Sequence, residues 1–204
     1  MSRIILDMSA NTHKNDIRYI YRMIDEIKAI DTGKHEIIFK HQLFVKAGEN
    51  IPLERKAFDM AYRYAKERGY KTTSSVFDVP SLNFLLSYNP CFVKMANNRS
   101  LNYLIGEIPR KIPVYKSVGT WMDFMDSAEM PLCCVSEYPA SLKDYETNFK
   151  NYLMNAVSDH TINFDLWHKY KPEIIEWHYV LEHDPNNLDG GLFARTPAML
   201  AEVL

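Results

Sequence analysis

The chain has 204 residues, 47% of them apolar, enough for one well-filled core and short for two. Its formal net charge is −2, with 24 Lys and Arg scattered among 26 Asp and Glu, so the basic face that nucleic-acid binding needs is absent and no nucleic-acid partner is expected. No apolar run approaches the ~20 residues of a membrane span, the first residues are already strand-like, and Cys91, Cys133 and Cys134 read as buried thiols outside any disulfide framework, so the expected setting is cytoplasmic with no membrane partner.

Residues 4–8 read as a strand and 16–30 as a helix, because Ile17, Ile20, Tyr21, Ile24 and Ile27 recur at helical spacing. A second strand over 36–39 leads through a loop containing Gly48 and Asn50 to a helix over 53–68, stopped by Gly69. Strand 71–76 precedes a helix over 80–88, with Pro80 at its start, where a missing N–H costs nothing. Four further pairs follow: 91–95 with 100–108, 112–116 with 121–127, 132–135 with 142–150, and 152–157 with 162–170. Strand 173–177 then leads through a polar loop to a helix over 197–203.

Eight strand-then-helix units predict a parallel sheet with helical crossovers, closed into a compact (β/α)8 TIM barrel that forms one domain over 1–204. An open doubly wound sheet is the alternative. It more often carries a Gly-rich first turn, and Asp7-Met8-Ser9-Ala10-Asn11 has no glycine. Pro90, Pro113, Pro131 and Pro172 stand at or just before strand starts and mark short turns on the bottom face. Polar residues gather instead at the strand ends, on the face where barrels of this type keep their chemistry.

Those ends carry Asp7 and Asn11, Lys40 with Gln42, Ser75, Lys94 with Asn97, Ser117, Ser136 with Tyr138, Ser158 with His160, and Glu176 with His178. If the last two runs are neighbouring parallel strands, about 4.8 Å apart, Ser158 and His160 point where Glu176 and His178 point. Two imidazoles with open positions suit a divalent metal whose other ligands are water or substrate. A histidine at a strand end is also, more commonly, a hydrogen-bonded core or loop residue. Lys94 shares a face with Phe92, and a lysine at a barrel mouth is expensive to desolvate unless an anion meets it. The competing reading has both lysines reaching outward into solvent. The serines at one level add hydroxyl donors, and parity sends Lys116 away from Ser117. His41 is expected behind the site, and His13, His35, His168 and His183 on the surface or on helices. The loop Asp184-Pro185-Asn186-Asn187-Leu188-Asp189-Gly190-Gly191 is turn-rich. Folded over the mouth it offers Asp189 to sugar hydroxyls; otherwise it is an ordinary solvated loop.

These residues resemble a known family, the N-acetylneuraminate (sialic acid) synthase-like barrels, in order along nearly the whole chain. Phe39-Lys40-His41-Gln42 resembles the family's Lys-(Phe/His)-Gln segment, Ser74-Ser75-Val76-Phe77-Asp78 its Ser-Val-Phe-Asp, and Phe92-Val93-Lys94 its Tyr-Lys-Ile. The segment 113–119 is similar to Pro-(Ile/Val)-x-x-Ser-x-Gly, and Cys134-Val135-Ser136-Glu137-Tyr138-Pro139 to Cys-x-(Ser/Asn)-x-Tyr-Pro. Ser158-Asp159-His160-Thr161 and Ile175-Glu176-Trp177-His178-Tyr179 resemble its two histidine motifs.

The resemblance implies condensation of phosphoenolpyruvate with an aldose similar to N-acetylmannosamine, giving a 2-keto-3-deoxy sugar acid and phosphate. It implies Mn2+ or Mg2+ on His160 and His178, and phosphoenolpyruvate surrounded by Lys40, Lys94, Ser75, Ser117, Ser136, Tyr138 and Ser158. Asp7 takes the place of a glutamate that handles water, Glu176 that of a carboxylate beside the metal, and Asp189 that of a sugar-binding Asp. Gln42 and Asn97 join the substrate-binding set. The sequence departs from the pattern at Asp7, one methylene shorter, at Asn11-Thr12-His13 for an Asn-His pair, at Asn97 for a serine, and at Asn187-Leu188-Asp189 for Pro-Gly-Pro-Asp. The sequence stops at Leu204, where the family usually continues into an antifreeze-like domain. The acceptor side is therefore expected to be open, closed by a second copy or a separate chain, or built for another sugar. Two other functions stay open: a diverged, non-catalytic barrel that keeps the anion pocket for binding or assembly, and another metal-dependent sugar aldolase or isomerase.

Overall fold

Runs of apolar and hydroxyl side chains buried on both faces need a filled interior on one side and helices on the other. The computed structural model, which describes residues 1–125, 129–149 and 154–204, shows this arrangement. Its strands are β1 (Arg3–Asp7), β2 (Glu36–Leu43), β3 (Lys71–Val76), β4 (Val93–Met95), β5 (Val114–Val118), β6 (Met130–Cys134), β7 (Ala156–Asp159) and β8 (Ile174–His178). All pair in parallel in chain order, and β8 pairs back onto β1 with Asp7 opposite His178, closing a (β/α)8 barrel.

The helices are α1 (Ala10–His13), α2 (Ile17–Ile30), α3 (Arg55–Glu67), α4 (Val79–Leu86), α5 (Trp121–Met125), α6 (Leu142–Phe149), α7 (Asp165–Tyr170) and α8 (Pro197–Leu200), with a 3-10 segment, Arg99–Glu107, after β4. The helix α2 buries Ile20, Met23, Ile24 and Ile27 against the barrel, and α3 buries Ala57, Phe58, Ala61 and Ala65. Asp16 starts α2 by accepting a hydrogen bond from the Arg18 N–H, a side-chain cap.

Period-2 alternation sorts the barrel interior into storeys. A lower storey of Ile5, Ile38, Thr73, Phe92, Tyr115, Leu132, Ala156 and Ile174 takes one residue from each strand or the residue leading into it, and all but Thr73 belong to one apolar cluster. Phe92 and Tyr115 stack there at 4.2 Å. Two residues further along each chain segment stand Asp7, Lys40, Ser75, Lys94, Ser117, Cys134, Ser158 and Glu176. Polar chemistry thus rests on a closed apolar floor.

Several expectations shift. The short α1 is an addition, four residues being too few to show a period. The strand expected over 112–116 runs two residues later. The segment 100–108 forms a 3-10 helix instead of an α-helix, and Pro131 falls inside β6 instead of ahead of it. The ends of the expected elements at 126–127, 150 and 152–153 lie outside the described residues. Cys91 is only half-buried, whereas Cys133 and Cys134 are buried. Among the described residues, no helix is long and apolar enough to cross a membrane.

His13, expected on the surface or on a helix, is the last residue of α1 and is buried there, its ring 6.4 Å from that of His41. His41 lies behind the barrel wall as its parity requires, edge-on to Phe58 at 5.5 Å. Burial first and the His13 imidazole second hold the His41 pKa down to about 3, and Lys40 adds to the effect against a Met8 backbone contact. Burial holds His13 at about 4 despite Asp16. Both are neutral in the fold and take up protons on unfolding below their ordinary value of 6.5. Their contribution is complete above pH 6.5 and is lost as pH falls toward 4, at up to about 1.4 kcal/mol per histidine per pH unit. Urea unfolding between about pH 7 and pH 5 is expected to show this slope, and His41→Gln to flatten it by one histidine's share. An unchanged slope in the variant would contradict the assignment.

Candidate active site

Of the residues singled out from the sequence, all but Asn11 line one cavity of about 440 Å³ at the C-terminal end of the barrel, fourteen in number. Eleven of them occupy two storeys, and Asn97, Tyr138 and Asp189 come from the loops beyond. Asp7, Lys40, Ser75, Lys94, Ser117, Ser158 and Glu176 form the lower ring with Cys134, and all of these are buried. Gln42, Ser136, His160 and His178 stand two residues further along their chain segments, as do Phe77 and Ala96. Ser136 therefore belongs one storey above Ser75, Ser117 and Ser158 and is exposed at the lip, where Asn97 donates to its Oγ at 3.1 Å. The level expected for a fourth serine is filled by Cys134.

The lower ring is a charge cluster. Lys40 Nζ donates to Asp7 Oδ2 at 2.7 Å and to Ser75 Oγ at 3.0 Å. Gln42 donates to the same Asp7 oxygen at 2.9 Å. Lys94 Nζ donates to Ser117 Oγ at 2.7 Å and to the Met95 carbonyl at 3.1 Å. Glu176 Oε1 sits 3.7 Å from each ammonium group and accepts from Ser158 Oγ at 3.1 Å. Burial opposes the charge on Lys40, but Asp7 and then Glu176 outweigh it, so its pKa lies above the ordinary lysine value. For Lys94, burial wins: Glu176 compensates only in part, Lys40 repels it, and its pKa falls. Burial alone would raise the Glu176 pKa, yet Lys40 and Lys94 together pull it well below the carboxylate range. Asp7 Oδ1 and Glu176 Oε2 are buried with no hydrogen-bond partner among the described residues. The ring is thus short of an anion at Lys94 and offers two acceptor oxygens to a ligand's hydroxyls.

The upper storey holds the imidazoles, their ring centroids 5.4 Å apart. His160 Nδ1 is 2.6 Å from the Val135 carbonyl, which can only accept, so that nitrogen carries the proton and Nε2 keeps its lone pair. Burial, then His178, holds the His160 pKa down to about 3. His178 Nδ1 approaches Asp189 Oδ1 at 3.2 Å, an ion-pair distance out of line for a hydrogen bond. Burial disfavours the His178 charge, Asp189 more than restores it, and the pKa rises. A neutral imidazole with a free Nε2 beside a second imidazole is a donor set that fits a divalent cation. Among the described residues there is no third His, Cys, Asp or Glu grouped with them to hold it, so water or ligand would complete the shell. Tyr138 lies over His160 at 4.2 Å and edge-on to Phe193 at 5.1 Å.

The histidines are set by a buried lattice behind them. Parity turns Asp159 outward, where its Oδ2 accepts from Trp177 Nε1 at 2.8 Å and from Arg195 Nη2 at 3.0 Å. Arg195 is fully buried and also donates to the carbonyls of Thr161, Phe193 and Asn163. Its backbone N–H donates to the His178 carbonyl at 2.7 Å. One guanidinium thereby ties together the segments that follow β7 and β8.

The cavity also takes in Glu49, Asn50, Phe77, Ala96, Cys134 and Leu188, which were outside the sequence-based set. Phe77, Ala96 and Cys134 were within reach of it, since each lies two residues from a named site residue. Glu49, Asn50 and Leu188 come from loops without a period. The loop after β8 does fold over the mouth. Asn11 donates to Asp189 Oδ2 at 2.6 Å and to Asn50 Oδ1 at 2.7 Å, joining the loops after β1, β2 and β8.

No family model matches the sequence, and no curated protein matches it. Solved structures do. An N-acetylneuraminic acid (sialic acid) synthetase from Leptospira borgpetersenii, solved with citrate, aligns with a TM-score of 0.73 at 24% identity, over 98% of this chain and 80% of that one. A spore coat polysaccharide biosynthesis protein from Bacillus subtilis gives 0.72 at 17% identity, over 98% of this chain and 65% of that one. A truncated 3-deoxy-D-arabino-heptulosonate 7-phosphate synthase from Thermotoga maritima gives 0.64 at 11%, over 99% and 83%. The chain shares their barrel fold.

Removing one partner from a buried ion pair leaves the other charge unpaired, at a cost of about 3–5 kcal/mol. Arg195→Met is therefore expected to lower the urea midpoint by that equivalent, and the double variant Asp159→Asn with Arg195→Met to recover part of it. A single-variant loss below about 1 kcal/mol would contradict the role given to the pair.

Proposed function

We propose that the protein condenses phosphoenolpyruvate with an aldose, similar to N-acetylmannosamine, to form a 2-keto-3-deoxy sugar acid and phosphate. The observation that carries this reading is the meeting of two buried lysines with two imidazoles around a single cavity. A ligand with carboxylate and phosphate groups matches the undercompensated Lys94, its neighbour Lys40 and the hydroxyls of Ser75, Ser117 and Ser158. Lysine suits this task as a compact charge with three donors. The names of the structural neighbours, a sialic acid synthetase and a heptulosonate phosphate synthase, agree with sugar-acid synthesis.

In the proposed reaction, the methylene carbon of phosphoenolpyruvate bonds to the aldehyde carbon, and the aldehyde oxygen ends as a hydroxyl. Water adds at the phosphate-bearing carbon, the carbon–oxygen bond to phosphate breaks, and a ketone remains. Asp7, oriented by Lys40 and Gln42, receives the proton of that water. Glu176 balances the charge of both lysines, and Asp189 accepts from sugar hydroxyls. Asn97, Ser136 and Tyr138 contact the substrates at the lip. His160 and His178 would hold Mn2+ or Mg2+, which when bound supplies Lewis acidity toward the aldehyde oxygen.

The same reading has one catalytic domain over 1–204 in a cytoplasmic setting. The rim side chains of Tyr138, Leu188 and Leu192 are more than half exposed, which suits cover by a second copy, as a homodimer, or by a separate chain completing the acceptor side.

The test is phosphate release from phosphoenolpyruvate with N-acetylmannosamine and related aldoses in the presence of Mn2+. Release is expected with at least one aldose, to stop with EDTA, and to fall at least about a hundredfold in Lys94→Met. Phosphoenolpyruvate binding without turnover would favour a binding barrel, and sugar conversion without phosphoenolpyruvate an isomerase or aldolase. Absence of phosphoenolpyruvate binding would reject the proposal.

A further inference from the structure

A second chamber, also about 440 Å³, opens beside the polar cavity and shares Gln42, Glu49, Asn50 and Phe77 with it. Its walls follow from strand pairing. Leu43 stands opposite Val76, so the next residues, Phe44 and Phe77, leave the sheet side by side. Their rings meet edge-on at 5.8 Å. The loop is pinned there by the Val45 N–H, which donates to Asp78 Oδ2 at 2.8 Å. Val45 leaves 58% of its surface exposed, and Phe44 is half-buried without joining a core cluster among the described residues. Apolar side chains presented to a concavity that continues from a polar site are what a ligand with one wet and one greasy end requires. The charges of the chamber are Glu49, Asp78 and Lys46, so carboxylates outnumber cations and an anion is unwelcome.

We infer that this chamber receives the end of the acceptor aldose remote from its reacting carbon, and that this end carries an uncharged, partly apolar substituent such as an acyl group, not a phosphate. The inference rests on the reading of the main cavity as an aldose site. The reacting end lies on the His160 and His178 side. Gln42 and Asn50, at the junction of the two spaces, present amides to the hydroxyls between. Phe44, Phe77 and Val45 then cover the substituent, while Glu49 and Asp78 would repel a terminal phosphate. Each buried methylene is worth about a fourfold gain in affinity, and a four-carbon acyl chain in an open-sided chamber about tenfold.

The test is calorimetric binding of three probes to the full chain: N-acetylmannosamine, its 6-O-butanoyl ester and its 6-phosphate. The ester is expected to bind about tenfold more tightly than the parent and the phosphate more weakly. Val45→Asp, a substitution at an exposed position, is expected to erase the ester's advantage, and Glu49→Lys to recover binding of the phosphate. Equal affinity for the three probes, preference for the phosphate, or no binding of any would overturn the inference. Phosphate release from phosphoenolpyruvate, followed with the same sugars, reports separately on the reaction. A binding preference without turnover would leave the chamber assigned and reject the condensation.

Discussion

Two ammonium groups are held out of water in the throat of this barrel, and the arrangement around them follows from the cost of keeping them there. Burying a lysine costs several kcal/mol, and one carboxylate 3.7 Å away returns about 4 kcal/mol at an effective dielectric constant near 20. Lys40 has two such neighbours, Asp7 at 2.7 Å and Glu176 at 3.7 Å, and stays charged. Lys94 has only a share of Glu176, and its proton is correspondingly loose. The imbalance gives the cavity a direction: an anion that reaches Lys94 gains more than one that stops at Lys40.

The apolar floor makes this electrostatics possible. Ile5, Ile38, Phe92, Tyr115, Leu132 and Ala156 fill the barrel below the charge ring, and the cavity lies above them, toward the C-terminal ends of the strands. Above the charge ring, the imidazoles owe their placement to residues that never face the cavity. Arg195, Asp159 and Trp177 form a buried lattice outside the barrel wall and hold the chain on either side of His160 and His178. The outer face of β7 and β8 thus sets the geometry of the inner one.

Much of this was legible in the sequence because a parallel barrel translates linear parity into radial position. Alternation put Phe92 with Lys94, and Ser158 with His160, on shared faces without tertiary information; that the lysines face the cavity and not solvent is what the closed barrel decides. The same rule placed His41 behind the wall. What it did not supply was height: Ser136 and Ser158 both end strand-like runs, but β6 stops at Cys134, and only register shows Cys134 opposite Ser158. Loops carry no period, so Glu49, Asn50 and Leu188 gave no signal, and the buried state of His13 depended on the unforeseen short helix α1. Arg195 drew no reading from the sequence, because nothing local in Phe193-Ala194-Arg195-Thr196 announces the carboxylate 36 residues earlier that it neutralises.

The central claim is that two lysines and two imidazoles, brought from β2, β4, β8 and the residue after β7, act on one ligand assembly. A crystal structure of the protein with phosphoenolpyruvate and Mn2+, read by anomalous scattering at the manganese edge, tests it most directly. The account predicts an anomalous peak bridged by His160 and His178, with the phosphoenolpyruvate carboxylate or phosphate within hydrogen-bond distance of both Lys40 and Lys94. Manganese elsewhere, or phosphoenolpyruvate bound away from those two ammonium groups, would contradict it.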